Sequence, residues 1–163
     1  MSGEKFDKFI VLVVDDLASA SKLLAEEPDL IYVKNGIGET VLHYLAVENQ
    51  LEMVRWLYNK GSDLNTTNDF GNTPLSEAAS LGYLELCEFL LENGADHKIC
   101  TSQGDSALSE AATNNQVEVV NLLLTRINTE EKLRNYFCPV SYDILFDKES
   151  ESAKLIYNKG LMW

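Results

Sequence analysis

The chain has 163 residues, 45% of them apolar, which is enough for one folded domain with a real core and excludes overall disorder. A formal charge of −13 and a pI near 4.4 argue against direct binding to nucleic acid, because that affinity comes from lysines and arginines displacing counterions. Cys87, Cys100 and Cys138 are an odd set without C-x-x-C spacing, which argues against a disulfide framework or a zinc site and for reduced thiols.

In chain order, the first apolar run is Phe9 to Val14. It is far too short to span a membrane, and no basic flank or small-residue cleavage site surrounds it, so a cytoplasmic chain without membrane contact is expected. Val13-Val14-Asp15-Asp16 looks like the acidic pair that opens a receiver domain. That domain needs a parallel sheet carrying a second aspartate and a lysine, whereas helical repeats follow here. The two aspartates are expected to cap the next helix instead. Gly36-Ile37-Gly38 lacks the preceding strand, third glycine and long helix of a dinucleotide loop, and reads as a turn.

From this point a repeat organises the chain. Gly38, Gly71 and Gly104 stand 33 residues apart, and so do Thr40, Thr73 and Ser106. Leu42, Leu75 and Leu108, then Ala46, Ala79 and Ala112, keep the interval, as do Glu52, Glu85 and Glu118, and Leu57, Leu90 and Leu123. Tyr58-Asn59-Lys60-Gly61 recurs 99 residues later as Tyr157-Asn158-Lys159-Gly160, and Glu151 falls 33 after Glu118. Within a unit, a turn at Asp69-Phe70-Gly71-Asn72 precedes the capping Thr73 and Pro74, which fits a first helical turn. A short helix with Ala78 and Ala79 follows, Gly82 breaks it, and a second helix runs from about Leu84 to Glu92, closed by Gly94.

The stretches Gly71-Asn72-Thr73-Pro74-Leu75-Ser76-Glu77-Ala78-Ala79 and Leu90-Leu91-Glu92-Asn93-Gly94-Ala95-Asp96 closely resemble ankyrin repeats. So does Gly38-Glu39-Thr40-Val41-Leu42-His43 with Gly61-Ser62-Asp63-Leu64-Asn65. The resemblance implies an all-α solenoid of about five stacked helix-turn-helix units, three regular and two divergent at the ends. The units are placed roughly at 4–34, 35–67, 68–100, 101–133 and 134–163, in one domain. Phe6 to Val14 and Ser21 to Leu30 are expected to be the helices of the first. Val41 and Ala107 replace the usual proline, Ile127 replaces a glycine, Pro139 sits one place early, and Asn128 to Asn135 looks partly helical. The resemblance also makes His43 a hydrogen-bonding bridge between adjacent turns rather than a metal or catalytic group.

No nucleophile has a base and an orienting group at motif spacing, and no cofactor or metal is expected. Cys87 lies on the apolar stripe of a helix, and Trp56 is expected to pack on the next unit. Asn65-Thr66-Thr67 is a nominal sequon without meaning in a cytosolic chain. Binding in a solenoid uses its extended concave surface. The resemblance implies that this surface is made by the turn tips and the exposed side of each first helix; carried over by register, the tips are Asn35, Ile37 and Glu39, then Asp69, Phe70 and Asn72, then Ser102, Gln103 and Asp105. The first helices add Val47 and Glu48, Ser80 and Leu81, and Thr113 and Asn114. Phe70 either anchors a partner or packs across the hairpin onto Ile37. The acidic members would steer a basic protein onto this face. The expectation is thus a monomeric, non-catalytic protein-binding module, acting as adaptor or scaffold. The alternative is a dedicated inhibitor, such as the antidote of a toxin or enzyme.

Overall fold

The computed structural model describes residues 2–126 and 150–158, and within them the chain is helical, with two isolated antiparallel bridges, Lys34 to Thr40 and Cys100 to Ser106. Each regular unit is a turn followed by two helices. Helix α3 (Val41–Val47) is followed by α4 (Leu51–Asn59), α5 (Pro74–Leu81) by α6 (Leu84–Glu92), and α7 (Ala107–Thr113) by α8 (Val117–Arg126). Upstream, α1 (Ser2–Asp15) and α2 (Leu17–Glu26) form a pair closed by a 3-10 turn, Pro28–Tyr32. Downstream, α9 (Glu151–Asn158) packs on α8.

The helices start where a side chain can satisfy the first free N–H groups. Thr73 N–H donates to Ser76 Oγ at 2.8 Å while Ser76 N–H donates to Thr73 Oγ1 at 3.1 Å. Ser106 and Ser109 repeat this exchange at 2.7 and 3.3 Å. In the second unit Thr40 N–H donates to His43 Nδ1 at 3.2 Å. A closed cap explains why Val41 and Ala107 open helices as well as Pro74 does. The first helices end at a shared left-handed position: Asn49 (φ 53°), Gly82 (φ 79°) and Asn115 (φ 54°) lie 33 residues apart. Asparagine tolerates that region better than other side chains, so the column keeps its conformation without keeping its residue.

First helices stack on first helices, α1 on α3 on α5 on α7, and α6 packs on α8 in the second layer. The alanines allow the close approach: Ala46 and Ala79 are fully buried and Ala112 is 5% exposed. Leu42, Leu75 and Leu108, with Leu57, Leu90 and Leu123, fill the space between layers, each contributing roughly 2 kcal/mol of transfer free energy. Gly71 serves two needs at once. Its φ is 89°, and a Cβ there would sit 2.9 Å from Thr101 Cα in the next turn.

The N-terminal unit departs from the expected helix limits. Its second helix starts at Leu17, four residues before Ser21, because Asp16 Oδ1 accepts from the N–H groups of Ala18 and Ser19, both at 3.1 Å. It stops at Glu26 because Pro28 has no N–H and disfavours helical geometry in the residue before it. Only Asp16 caps; Asp15 closes α1. At the other end, α9 ends on Asn158 as α4 ends on Asn59, in the expected register. Ile127, Asn128 to Asn135, Cys138 and Pro139 lie outside the described residues. Among the described residues no helix is long and apolar enough to cross a membrane.

Candidate functional site

The turn tips share one construction. Asn35 Oδ1 accepts from the N–H groups of Ile37 and Glu39, both at 3.0 Å, and Asn68 Oδ1 accepts from Phe70 and Asn72 at the same distances. Thr101 Oγ1 does likewise for Gln103 and Asp105, at 3.3 and 3.0 Å. The residue two places on is thereby pushed outward. Ile37 is 45% and Phe70 58% exposed. Adjacent tips are stitched together, because Asp69 N–H donates to the Ile37 carbonyl at 3.1 Å.

Behind the tips, the first helices present two further rows. Val47, Ser80 and Thr113 form one, half-buried except for the exposed Thr113. Glu48, Leu81 and Asn114 form the other, all exposed, with Leu81 at 44%. Ser80 and Asn114 are engaged within the solenoid. Asn114 Nδ2 donates to Ser80 Oγ at 3.1 Å, and Gln116 Nε2 donates to the Ser80 carbonyl at 3.1 Å. Asn72 is engaged too: its amide donates to Glu77 Oε1 at 2.9 Å and its carbonyl accepts from His43 Nε2 at 3.0 Å.

Three residues outside the expected set lie in register between these rows. Tyr44, Glu77 and Glu110 occupy one station on α3, α5 and α7, and Tyr44 is 41% exposed. The signal was present in the sequence, since each stands three and four residues before the two helix positions already chosen, on the same helical face. Burial pushes the Glu77 carboxyl above its ordinary range, against the Asn72 amide that lowers it, and Glu39 nearby pushes it further. Burial likewise raises Glu110, helped by Asp105 and Glu77, while the Ser80 hydroxyl opposes. With Glu39, Glu48, Asp69 and Asp105, these tip and helix columns hold six carboxylates and no lysine or arginine. Two cations of the second unit stand elsewhere: Arg55 and Lys60 ride on and just beyond α4, over the rings of Phe89 (4.4 Å) and Trp56 (5.5 Å).

Other groups with chemical potential are accounted for by packing. His43 is fully buried and bridges two units, with Nδ1 facing Thr40 and Nε2–H donating to Asn72 of the next turn. Burial holds its pKa below the ordinary value, so the ring is neutral. Burial pushes the Cys87 thiol up to about 12, which leaves it unreactive. Trp56 is half-buried against the core. Asn65 of the nominal sequon ties adjacent loops, donating to the Gly94 carbonyl (3.2 Å) and accepting from Asp96 N–H (2.7 Å). A cleft of about 540 Å³ opens in the N-terminal unit, lined by Lys5, Glu27, Leu30 and Tyr32 among others and crossed by the Lys5–Glu27 ion pair. It shares no residue with the acidic face. Among the described residues no group of three or more histidines, cysteines or carboxylates is placed to hold a metal ion.

Comparison with known proteins agrees with the geometry. The family model for ankyrin repeats (3 copies) matches residues 11–100 and again 62–135. No curated protein matches the chain.

Proposed function

Because the chain belongs to the ankyrin-repeat family, whose members generally bind other proteins, we propose that it is a non-catalytic module that binds a basic protein through its turn tips and first helices. One observation carries this reading. Among the described residues of the three regular units, every large exposed apolar side chain, Ile37, Tyr44, Phe70 and Leu81, falls on that face, among the six carboxylates. Apolar anchors ringed by polar groups are the usual anatomy of an interface hot spot, and a cluster of acidic groups steers and holds cations. The second-helix layer of these units carries none of the large exposed apolar residues. A single contact face suits a protein that acts by occupying and masking its partner, as an inhibitor does, better than one that bridges two partners.

The test is capture of natural partners by the intact chain and by a double variant, Asp69→Ala with Phe70→Ala, followed by hydrogen-exchange footprinting of the complex. The variant should bind at least about tenfold more weakly, since truncating an anchor residue removes about 2 kcal/mol or more. Protection is expected over the tips and over α3, α5 and α7. Unchanged capture by a folded variant, or protection on α4, α6 and α8 instead, would sink the placement.

A further inference from the structure

Resting on that reading, we propose that the occupant of this face is a linear segment of the basic partner in polyproline-II conformation. It seats two Lys or Arg residues, three positions apart, on Glu77 and Glu110, and sets an apolar residue three positions further along against Tyr44. The spacing carries the inference. Tyr44, Glu77 and Glu110 hold the same station on helices that pack side by side, so neighbours in the row are one interhelix distance apart, about 8–10 Å. A polyproline-II segment has three residues per turn and rises 3.1 Å per residue, so every third side chain faces the same way about 9.3 Å further on. A β-strand turns its third side chain to the opposite side. An α-helix returns to one face at such a distance only after about seven residues. A strand would also leave its backbone hydrogen bonds without a partner here, because the described residues of this face carry no strand edge, whereas polyproline II keeps its backbone solvated.

The chemistry of the row suits two cations followed by an apolar group. Neither Glu77 nor Glu110 pairs with a lysine or arginine among the described residues. Both amides that hold Glu77, from Asn72 and Asn68, donate to Oε1, leaving Oε2 for an incoming donor. Phe70 lies before the N-terminus of α5 and Leu81 at its C-terminus; the helix has eight residues and is about 12 Å long. The two therefore flank Glu77 as apolar walls, against which the methylene stem of a lysine or arginine seated there can lie.

Labelled synthetic peptides titrated with the full chain, read by fluorescence anisotropy, test this. One probe carries Leu and two Arg residues at three-residue spacing on a proline-rich backbone. A second has the same composition with the two Arg residues adjacent, and a third is an alanine-based helix with Arg at seven-residue spacing. The first should bind at least about tenfold more tightly than either control, because a charge-assisted contact to a partly desolvated carboxylate is worth that much. Glu77→Gln or Glu110→Gln should each weaken it by about tenfold, and the double variant should erase the spacing preference. Glu52→Gln, on the opposite layer, should change nothing. Equal binding of the adjacent-Arg probe, a preference for the helix, no binding of any probe, or a preference that survives in the double variant would each overturn the inference. If capture of the natural partner still depends on Asp69 and Phe70 in those cases, only the linear-segment inference fails and the binding face stands.

Discussion

His43→Ala removes a side chain that joins a cap to the next turn. The ring is fully buried, takes the Thr40 N–H on Nδ1 at 3.2 Å, and donates from Nε2 to the Asn72 carbonyl at 3.0 Å. Alanine leaves the buried Thr40 N–H unpaired, at about 1–3 kcal/mol, takes one of two bonds from the half-buried Asn72 carbonyl, which still accepts from Asn68 N–H at 3.0 Å, and opens a cavity besides. A loss of about 3–4 kcal/mol is expected, a large share of a total stability of about 5–15 kcal/mol. The molecule supplies its own control. Ser76 and Ser109 stand at the equivalent positions and take the cap N–H of Thr73 and Ser106 at 2.8 and 2.7 Å. His43→Ser should therefore rebuild the cap, recovering about 1 kcal/mol, without reaching Asn72. Urea unfolding followed by far-ultraviolet circular dichroism gives the three free energies, provided that the slope m is unchanged. Serine as damaging as alanine, or both variants within about 0.5 kcal/mol of the parent chain, would refute the assigned bonds.

The pH dependence of that stability follows from the same burial. The folded pKa of His43 lies below its ordinary 6.5, so the unfolded chain takes up a proton first as pH falls. Stability is therefore fully present above about pH 6.5 and is lost as pH falls toward the folded value; His43→Ser should flatten this decline in urea midpoints measured from pH 7.5 to 5. For Glu77 and Glu110 the sign is opposite, because their folded values are raised above 4.5: their contribution is fully present below pH 4.5 and is lost as pH rises through the folded values. Glu77→Gln and Glu110→Gln should leave the thermal midpoint at pH 7 unchanged or higher; a drop at pH 7 would show that the charged form is structurally required. Gly61→Ala and Gly71→Ala both place a Cβ on a left-handed residue, but only Gly71 faces a neighbouring turn, at 2.9 Å. The first should cost about 1–2 kcal/mol and the second at least about 1 kcal/mol more in urea unfolding, and equal losses would refute the close stacking of tips.

The fold was legible because 33-residue columns of glycine, leucine and alanine mark the places where units touch, and stacking forces similar side chains there. The limits of α6, Leu84–Glu92, follow directly from helical spacing and Gly94. Where identity changes and conformation does not, the pattern hides. Asn49, Gly82 and Asn115 share one left-handed backbone, and Asn35, Asn68 and Thr101 one turn-forming hydrogen bond, through different residues. In the N-terminal unit the helix limits are set locally by Asp16 and Pro28 instead of by the period. The candidate face was legible in outline from the register of the tips. Its interior row was not, because Glu77 and Glu110 look like ordinary exposed helix residues until stacking half-buries them.

That row is where the local rules and the fold disagree. Half-buried carboxylates with like charges for neighbours and no cation beside them oppose folding at neutral pH, whereas Ser76 and Ser109 on the same helices are satisfied by their caps. Packing does not demand acids at that station, since Tyr44 occupies it in the second unit. In a stacked array the stability is a sum over units and their interfaces, so buried leucine and alanine columns can carry a strained surface row without loss of the fold. Conflicts that persist in an otherwise consistent sequence tend to mark functional positions. A cation arriving from a partner would relieve this one by supplying the missing counter-charge in a site already partly desolvated, where the same Coulomb attraction is stronger than in water. Partner binding and the local instability of the free chain are then two readings of one arrangement. Replacing Glu77 or Glu110 by glutamine should move them in opposite directions, holding or raising the stability of the free chain while weakening the complex.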